Sequence, residues 1–396
     1  MKSLRLRQAL FPLYRRLERS AVVLRYLFIE ITQRCNLACL HCGSDCGSQP
    51  RVGELVPAEW AGFFDYLGAR VDTSRLVLVL TGGEPLCAPG LGIALEALAR
   101  NRLAWGMVSN GWSLDEAALR SLTAHGLQSL TLSLDGLREE HDWLRGRSGS
   151  FDRVVSAIEV VVRAQLPFFD VVTCVNPRNL DQLPAMRALL CELGVPAWRL
   201  FAIFPRGRAR TNAKLGLSDS DLARLLRWIA SERRAAGNGP SVQWSCEGYL
   251  PPDLDRQVRD DPFFCRAGIN IGSVLCDGSI SACPNIPRSL IQGNIRTDDF
   301  VEVWERRFTQ FRDRAWMAVG DCDGCSDWKR CQGNSLHLLD EEHGGTLLCH
   351  RHALGRTERS DVSEPHAQSI RAVLDTNVLL RGLPRASRAG RSSKRR

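Results

Sequence analysis

Apolar and polar positions along this chain follow two rhythms. From Leu4 to Leu24 the apolar residues recur near helical spacing among Arg and Glu, which predicts an amphipathic helix with one face for packing. The stretch Ala21–Ile31 is apolar but interrupted by charge, so it reads as the end of that helix followed by a first strand. Leu76-Val-Leu-Val-Leu80 is a short apolar run bounded by turn residues, as expected of a strand buried on both faces of a parallel sheet. Further runs end in polar residues or glycine at Met107–Gly111, Ser129–Gly136, Val171–Asn176 and Arg199–Arg208, at intervals suited to β-α repetition. The pattern predicts an α/β protein. No apolar run reaches the roughly 18 to 20 residues needed to cross a bilayer.

Composition narrows this picture. At 396 residues, 44% apolar and 7% aromatic, the chain is long enough for two domains of ordinary soluble α/β type. A large share of the formal charge of +8 lies in the tail from Arg381 to Arg396, so the folded part is closer to neutral. A basic face interleaved with stacking aromatics is missing there, so neither nucleic acid nor membrane is expected as a partner. Residues 1–20 are basic but lack the apolar core and small-residue cleavage site of a signal peptide. Fifteen cysteines at this length and spacing point to metal ligation in a reducing, cytoplasmic setting.

Cys35, Cys39 and Cys42 lie in Ile31-Thr-Gln-Arg-Cys-Asn-Leu-Ala-Cys-Leu-His-Cys42. Read alone, this C-x3-C-x2-C loop fits either a zinc site or an iron–sulfur cube with one iron left open. The loop resembles that of the radical S-adenosylmethionine (SAM) enzymes, where His41 falls at a usually aromatic position. The resemblance implies a [4Fe-4S] cluster whose open iron is chelated by SAM, and whose electron breaks the sulfonium bond to give a 5′-deoxyadenosyl radical. Thr81-Gly-Gly-Glu-Pro85 resembles the family's GGE motif, in which Gly82, Gly83 and Glu84 would hold the SAM amino group. By the same resemblance, Met107–Gly111 is the family's fourth strand, with Ser109 and Asn110 near the ribose. Ser129–Gly136 is its fifth, with Ser133 and Asp135 on the cofactor side. Arg145, with Arg147 in reserve, would pair with the SAM carboxylate. A Gly-Arg pair in Pro205-Arg-Gly-Arg-Ala-Arg210 also falls beside SAM, although Arg206 and Arg210 read equally well as an exposed basic loop.

The second half of the chain runs Cys265-x12-Gly-x4-Cys283, then Cys322-x2-Cys325-x5-Cys331 and Cys349, with Gly293–Trp304 between the groups. This resembles the SPASM extension, which carries auxiliary iron–sulfur clusters in peptide- and protein-modifying radical SAM enzymes. It implies a distal cluster on Cys322, Cys325, Cys331 and Cys349. The run departs from the family at Ser335, where a proximal-cluster cysteine is expected. That leaves Cys265, Cys283 and the candidate Cys276, so the proximal cluster is open at one iron, ligated by Ser335 or His337, of [2Fe-2S] type, or absent. Cys87, Cys174, Cys191 and Cys246 read as small buried hydrophobes. Cys46 reads the same way, with its closeness to the loop as an alternative. His337, His343, His350 and His352 read as surface imidazoles.

The expected architecture is a partial (β/α)6 radical SAM barrel followed by a small cysteine-rich SPASM domain. It divides into an N-terminal helix packing on the barrel (1–25), the core (26–240), the auxiliary-cluster domain (241–355) and a basic tail (356–396). The cofactors implied are the [4Fe-4S] cluster, SAM and one or two auxiliary iron–sulfur clusters. The activity implied is hydrogen abstraction from a peptide or protein substrate, with the substrate radical oxidised through the auxiliary clusters. An electron donor such as flavodoxin or ferredoxin is implied. The N-terminal segment is too short for the winged-helix peptide-recognition domain of some relatives, so a separate leader-peptide-binding protein would supply that function. The alternatives are a formylglycine-forming sulfatase maturase and a non-catalytic iron–sulfur electron carrier. Within the tail, Arg371–Gly382 resembles the opening strand of PIN-type ribonucleases, but the other acids of a metal site are missing, so Asp375 is not expected to be catalytic.

Overall fold

The computed structural model describes residues 2–49, 53–235, 237–245 and 248–358. Cys246, the PIN-like fragment and the basic tail beyond Glu358 lie outside the described residues.

Ten strands form one sheet in the order β10-β9-β8-β1-β2-β3-β4-β5-β6-β7. Seven belong to a β-α succession: β1 (Tyr26–Thr32), β2 (Val77–Gly82), β3 (Ala104–Ser109), β4 (Leu127–Ser133), β5 (Phe168–Val175), β6 (Ala197–Ala202) and β7 (Ser241–Trp244). All neighbours among them are parallel. Between them run α2 (Pro57–Arg70), α3 (Leu91–Arg100), α4 (Glu116–Ala124), α5 (Arg138–Arg145), α6 (Ser150–Ala164), α7 (Leu183–Glu192) and α8 (Asp219–Arg234), after α1 (Lys2–Ala21). The strands carrying Ser109 and Ser133 are the third and fourth in chain order, one earlier than the resemblance implied.

The apolar runs become strands with one closely packed face, the alternate residues of β2 and β5 being only half-buried. One in-register row crosses six strands through Val274, Ile29, Leu80, Met107, Leu130 and Phe169, and every member is buried. Side-chain caps start α4 and α8: Asp115 accepts from the Ala118 N–H, and Ser218 from the Asp221 N–H. Each such cap is worth about 1 kcal/mol.

The cysteine-rich part joins the same sheet. β8 (Ile271–Val274) pairs parallel with β1, and β9 (Ser279–Ser281) and β10 (Gly293–Asn294) extend it antiparallel. Gly278 makes the β8–β9 turn at φ +84°, with Asn294 Oδ1 only 2.7 Å from where a Cβ would stand, which accounts for the glycine in the Cys265–Cys283 spacing. β7, although it falls after residue 240, pairs with β6 at the sheet's far edge.

The described side-chain contacts of α1 run to the cysteine-rich part. Phe11 and Tyr14 pack on Phe264, Arg15 reaches Arg330 and Gln332, and Glu18 accepts from Asn270. No helix among the described residues is long and apolar enough to cross a membrane.

Candidate functional site

The cysteine loop leaves the C-terminal end of β1 and is held by its backbone. Cys35 N–H donates to Gly47 O at 2.7 Å, Leu40 N–H to Leu144 O at 2.8 Å and Ala38 N–H to Arg145 O at 3.2 Å. Two glycines of the next strand end press against it. A Cβ on Gly82 would stand 2.1 Å from Thr32 O, and one on Gly83 2.2 Å from Arg34 O. Gly83 and Glu84 donate their N–H groups to the same two carbonyls. The paired glycines thus permit close approach of the cysteine loop.

Every thiol of the loop receives a donor. Leu37 N–H reaches Cys35 Sγ at 3.4 Å, Arg145 Nη1 reaches Cys39 Sγ at 3.7 Å and Cys46 N–H reaches Cys42 Sγ at 3.3 Å. Burial, and then the neighbouring thiols, push Cys35 up to about 12 despite the Leu37 N–H. Cys42 goes the other way: the Cys46 thiol donates to it, and with the Cys46 N–H and Arg208 this outweighs burial and lowers it. Three clustered, donor-bearing thiols outside any disulfide suit a group that must be bound by thiolates.

Around the loop sits a buried charged set. Glu84 is fully buried at the end of β2; its carboxylate accepts from Ser109 Oγ at 2.9 Å, Asn110 N–H at 2.7 Å and Leu86 N–H at 3.2 Å. Burial raises its pKa above the ordinary value, opposed by these donors. Asn110 Nδ2 points to Asn36 and Cys35 Sγ. Ser133 is buried at the end of β4. Asp135, fully buried just beyond it, pairs with Arg145 at 2.5 Å and accepts from the Cys174 N–H at 2.7 Å. Burial would raise its carboxyl, but Arg145, then His41 and His141, hold it below the ordinary value. Arg145 Nε is buried with no hydrogen-bond partner among the described residues. An orphaned guanidinium N–H beside the Cys39 thiol fits a carboxylate-bearing ligand of the cluster, as SAM is. Arg147, the reserve, lies exposed over Trp112 and donates to Asn36 O.

Four further residues contribute: Cys46 and the Gly207-Arg208 pair, whose nearness to the loop the sequence offers, and Cys174, which reads from sequence as a small buried hydrophobe. The Cys46 thiol is buried against Cys42. Cys174 Sγ lies within 4.8 Å of ligand atoms on His41 and Asp135, at the site rather than in a plain apolar packing role. Arg208 donates to the Cys39 and Cys46 carbonyls. Gly207, at φ +53°, brings its loop so near that a Cβ would stand 2.3 Å from Cys42 O. Arg206 is not a free basic residue either: it ion-pairs with Glu341 and donates to the His337 and Leu339 carbonyls.

In the second half, burial and then the nearby Cys349 and Cys325 thiols raise Cys322, and burial chiefly, with Cys349, Cys322 and Cys325 close by, takes Cys331 up to about 12. Arg351 reaches Cys325 Sγ at 3.8 Å. Cys265 is buried; burial alone would raise its thiol, but Arg314 and the Leu336 and Ala267 N–H groups hold it below its ordinary value. Ser335, fully buried, immediately precedes the Leu336 donor. Cys283 is half-buried just past β9. Cys276 sits just past β8, its thiol bonded to the buried Glu30 carboxyl. His350 is buried, unlike the surface imidazole expected, and burial pushes it down to about 4. A cavity of about 360 Å³ lies between the loop after β6 and the helix His350–Glu358, with Phe204, Leu215, Leu347 and His350 among its walls.

Comparison with known proteins agrees with this arrangement. The profile of the radical SAM superfamily matches residues 29–190, and that of SPASM, an iron–sulfur cluster-binding domain, matches 265–326. The chain carries a radical SAM domain followed by a SPASM domain. It is similar to the AdoMet-dependent heme synthase of Methanosarcina barkeri, 29% identical over 78% of this chain and 90% of that one. It is also similar to the PqqA peptide cyclase of Rhizobium meliloti, 25% identical over 87% and 92%. The crystal structure of anSMEcpe with bound AdoMet and Cp18Cys peptide superposes with a TM-score of 0.65 at 18% identity, over 84% of this chain and 94% of that one. As a radical SAM enzyme with a SPASM domain, the protein uses a [4Fe-4S] cluster, SAM and auxiliary iron–sulfur centres.

Proposed function

We propose that this radical SAM enzyme modifies a ribosomally made peptide or protein by removing a hydrogen atom from it. Cys35, Cys39 and Cys42 hold the primary cluster. Asn110 and Arg145 steady its sulfurs, and the Arg145 Nε receives the SAM carboxylate. Gly82 and Gly83 let the strand end lie against the cysteine loop, Glu84 fixes Ser109 and Asn110 around SAM, and Ser133 and Asp135 line the same side. When bound, cluster and SAM together supply reductive cleavage of the sulfonium. Cys322, Cys325, Cys331 and Cys349 hold the distal auxiliary cluster, Cys265 and Cys283 belong to a proximal one, and Cys276 is a weaker candidate given its bond to Glu30.

The observation that carries this reading is a set of four mutually close thiols, Cys322, Cys325, Cys331 and Cys349, in a chain that also holds a three-cysteine loop at the end of β1 and is similar over most of its length to a peptide cyclase. The cavity between the two halves, at the small end for ligand sites, suits a side chain of a larger substrate. A second reading, action on an iron porphyrin, is favoured by the 29% identity to a heme synthase.

The test supplies anaerobically loaded protein with SAM, a reductant and either short peptides encoded beside its gene or iron coproporphyrin. We expect 5′-deoxyadenosine together with a peptide lighter by two hydrogens, one removed as an atom and the other lost as a proton when the substrate radical gives up its electron. Turnover of the porphyrin alone would favour the second reading. Equal 5′-deoxyadenosine from protein with Cys35, Cys39 and Cys42 all changed to Ala would sink the enzyme reading.

A further inference from the structure

Two arginines are buried with no carboxylate partner among the described residues. Arg314, 4% exposed, gives its guanidinium to the carbonyls of Phe311, Cys265, Ala267 and Asn334 at 3.1–3.4 Å, and to Cys265 Sγ at 3.4 Å. Arg15, 7% exposed, comes from α1 and reaches Arg330 O at 2.5 Å and Gln332 Oε1 at 2.6 Å, the residues on either side of Cys331. Asp313, next to Arg314, is exposed and accepts from the Ala315 N–H instead.

Carbonyl oxygens satisfy N–H donors but do not neutralise a cation. A buried charge without a counter-charge is strongly destabilising, so an anion belongs beside each of these side chains. What the two arginines share is a cysteine of the auxiliary region. Several surface arginines, by contrast, meet acids directly, as Arg100 meets Asp65 and Arg296 meets Glu59.

We infer that Arg15 and Arg314 are the buried counter-cations of the auxiliary iron–sulfur sites and set their reduction potentials. The inference rests on the ligation proposed above for Cys331 and Cys265. A positive charge and an N–H donated to a ligand sulfur both favour the reduced, more negative cluster, and so raise its potential. Cations in these places make the auxiliary centres better acceptors of an electron leaving a substrate radical. They also give α1 a redox role: the helix carries one of the two charges into the cysteine-rich part.

The test uses the full chain with Cys35, Cys39 and Cys42 changed to Ala, loaded anaerobically with iron and sulfide. Auxiliary midpoint potentials are read by EPR-monitored redox titration. Arg15→Met and Arg314→Met are expected to lower them, and Arg15→Lys and Arg314→Lys, which keep the charge, to restore most of the shift. Loaded Met variants with iron content, spectra and potentials equal to the parent's overturn the inference alone. A parent that binds no auxiliary iron overturns both the ligation reading and the inference. Should Arg314→Met not fold, Arg15→Met decides the matter by itself, because that side chain makes only two hydrogen bonds, both at the ends of the Cys331 turn.

Discussion

Glu84 spends its carboxylate inside the protein, on Ser109 Oγ and the N–H groups of Asn110 and Leu86. Glu84→Ala would leave those donors unpaired in a buried place, at a cost of about 2 to 3 kcal/mol, and would loosen the strand ends proposed to face SAM. We expect a lower urea midpoint and SAM affinity reduced about tenfold or more, read by denaturation and by calorimetric titration. Unchanged affinity would mean that the turn does not serve the cofactor. Such residues were legible because their motif is contiguous: Cys35, Cys39, Cys42, Gly82, Gly83 and Glu84 lie in two short stretches. Cys174 and Arg314 were not, since each gains its meaning from a partner on a remote element.

At the scale of elements, the loop after β6 closes over the cysteine loop, and Gly207 is the point of closest approach. Gly207→Ala would drive a methyl into the carbonyls of Cys42 and Gly43, 2.3 and 2.6 Å away, which are backbone atoms with little room to yield. The residue also has a positive φ, which adds strain. We expect several-fold lower iron at the primary site with the auxiliary content kept, measured by iron analysis against the triple cysteine variant. Equal loading of both sites would show that the loop yields freely. Strands were readable because each is a short apolar run bounded by turn residues. α1 was readable as amphipathic but not as to its partner, because helical periodicity says only that a face is covered. Phe11, Tyr14 and Arg15 find theirs some 250 or more residues away, at Phe264 and Arg330.

At the scale of the molecule, three buried histidines set the response to acid. Burial first, joined by Arg145 and Arg208 at His41, by Arg145 at His141 and by Arg259 at His350, lowers each to about 4 from an ordinary 6.5. The folded state therefore holds them neutral, while the unfolded chain takes up protons as pH falls below 6.5. Their contribution is complete above that pH and is lost progressively towards 4, at up to about 1.4 kcal/mol per pH unit for each histidine. Urea midpoints should fall steeply between pH 7 and 5. A flat profile would mean that these imidazoles are not held neutral. The two-domain plan was legible from the cysteine spacing, but the continuous sheet was not, since no local pattern announces that Ile271–Val274 will lie beside Tyr26–Ile29.

That junction bears on how the chain is made. Until residues 271–274 leave the ribosome, the outer side of Tyr26-Leu-Phe-Ile29 offers unpaired N–H and C=O groups on a flat apolar strand, a template on which other chains can pair. The cysteine-rich part thus shields the barrel from self-association. A barrel released without it would carry a sticky margin into solution, whatever its cofactors.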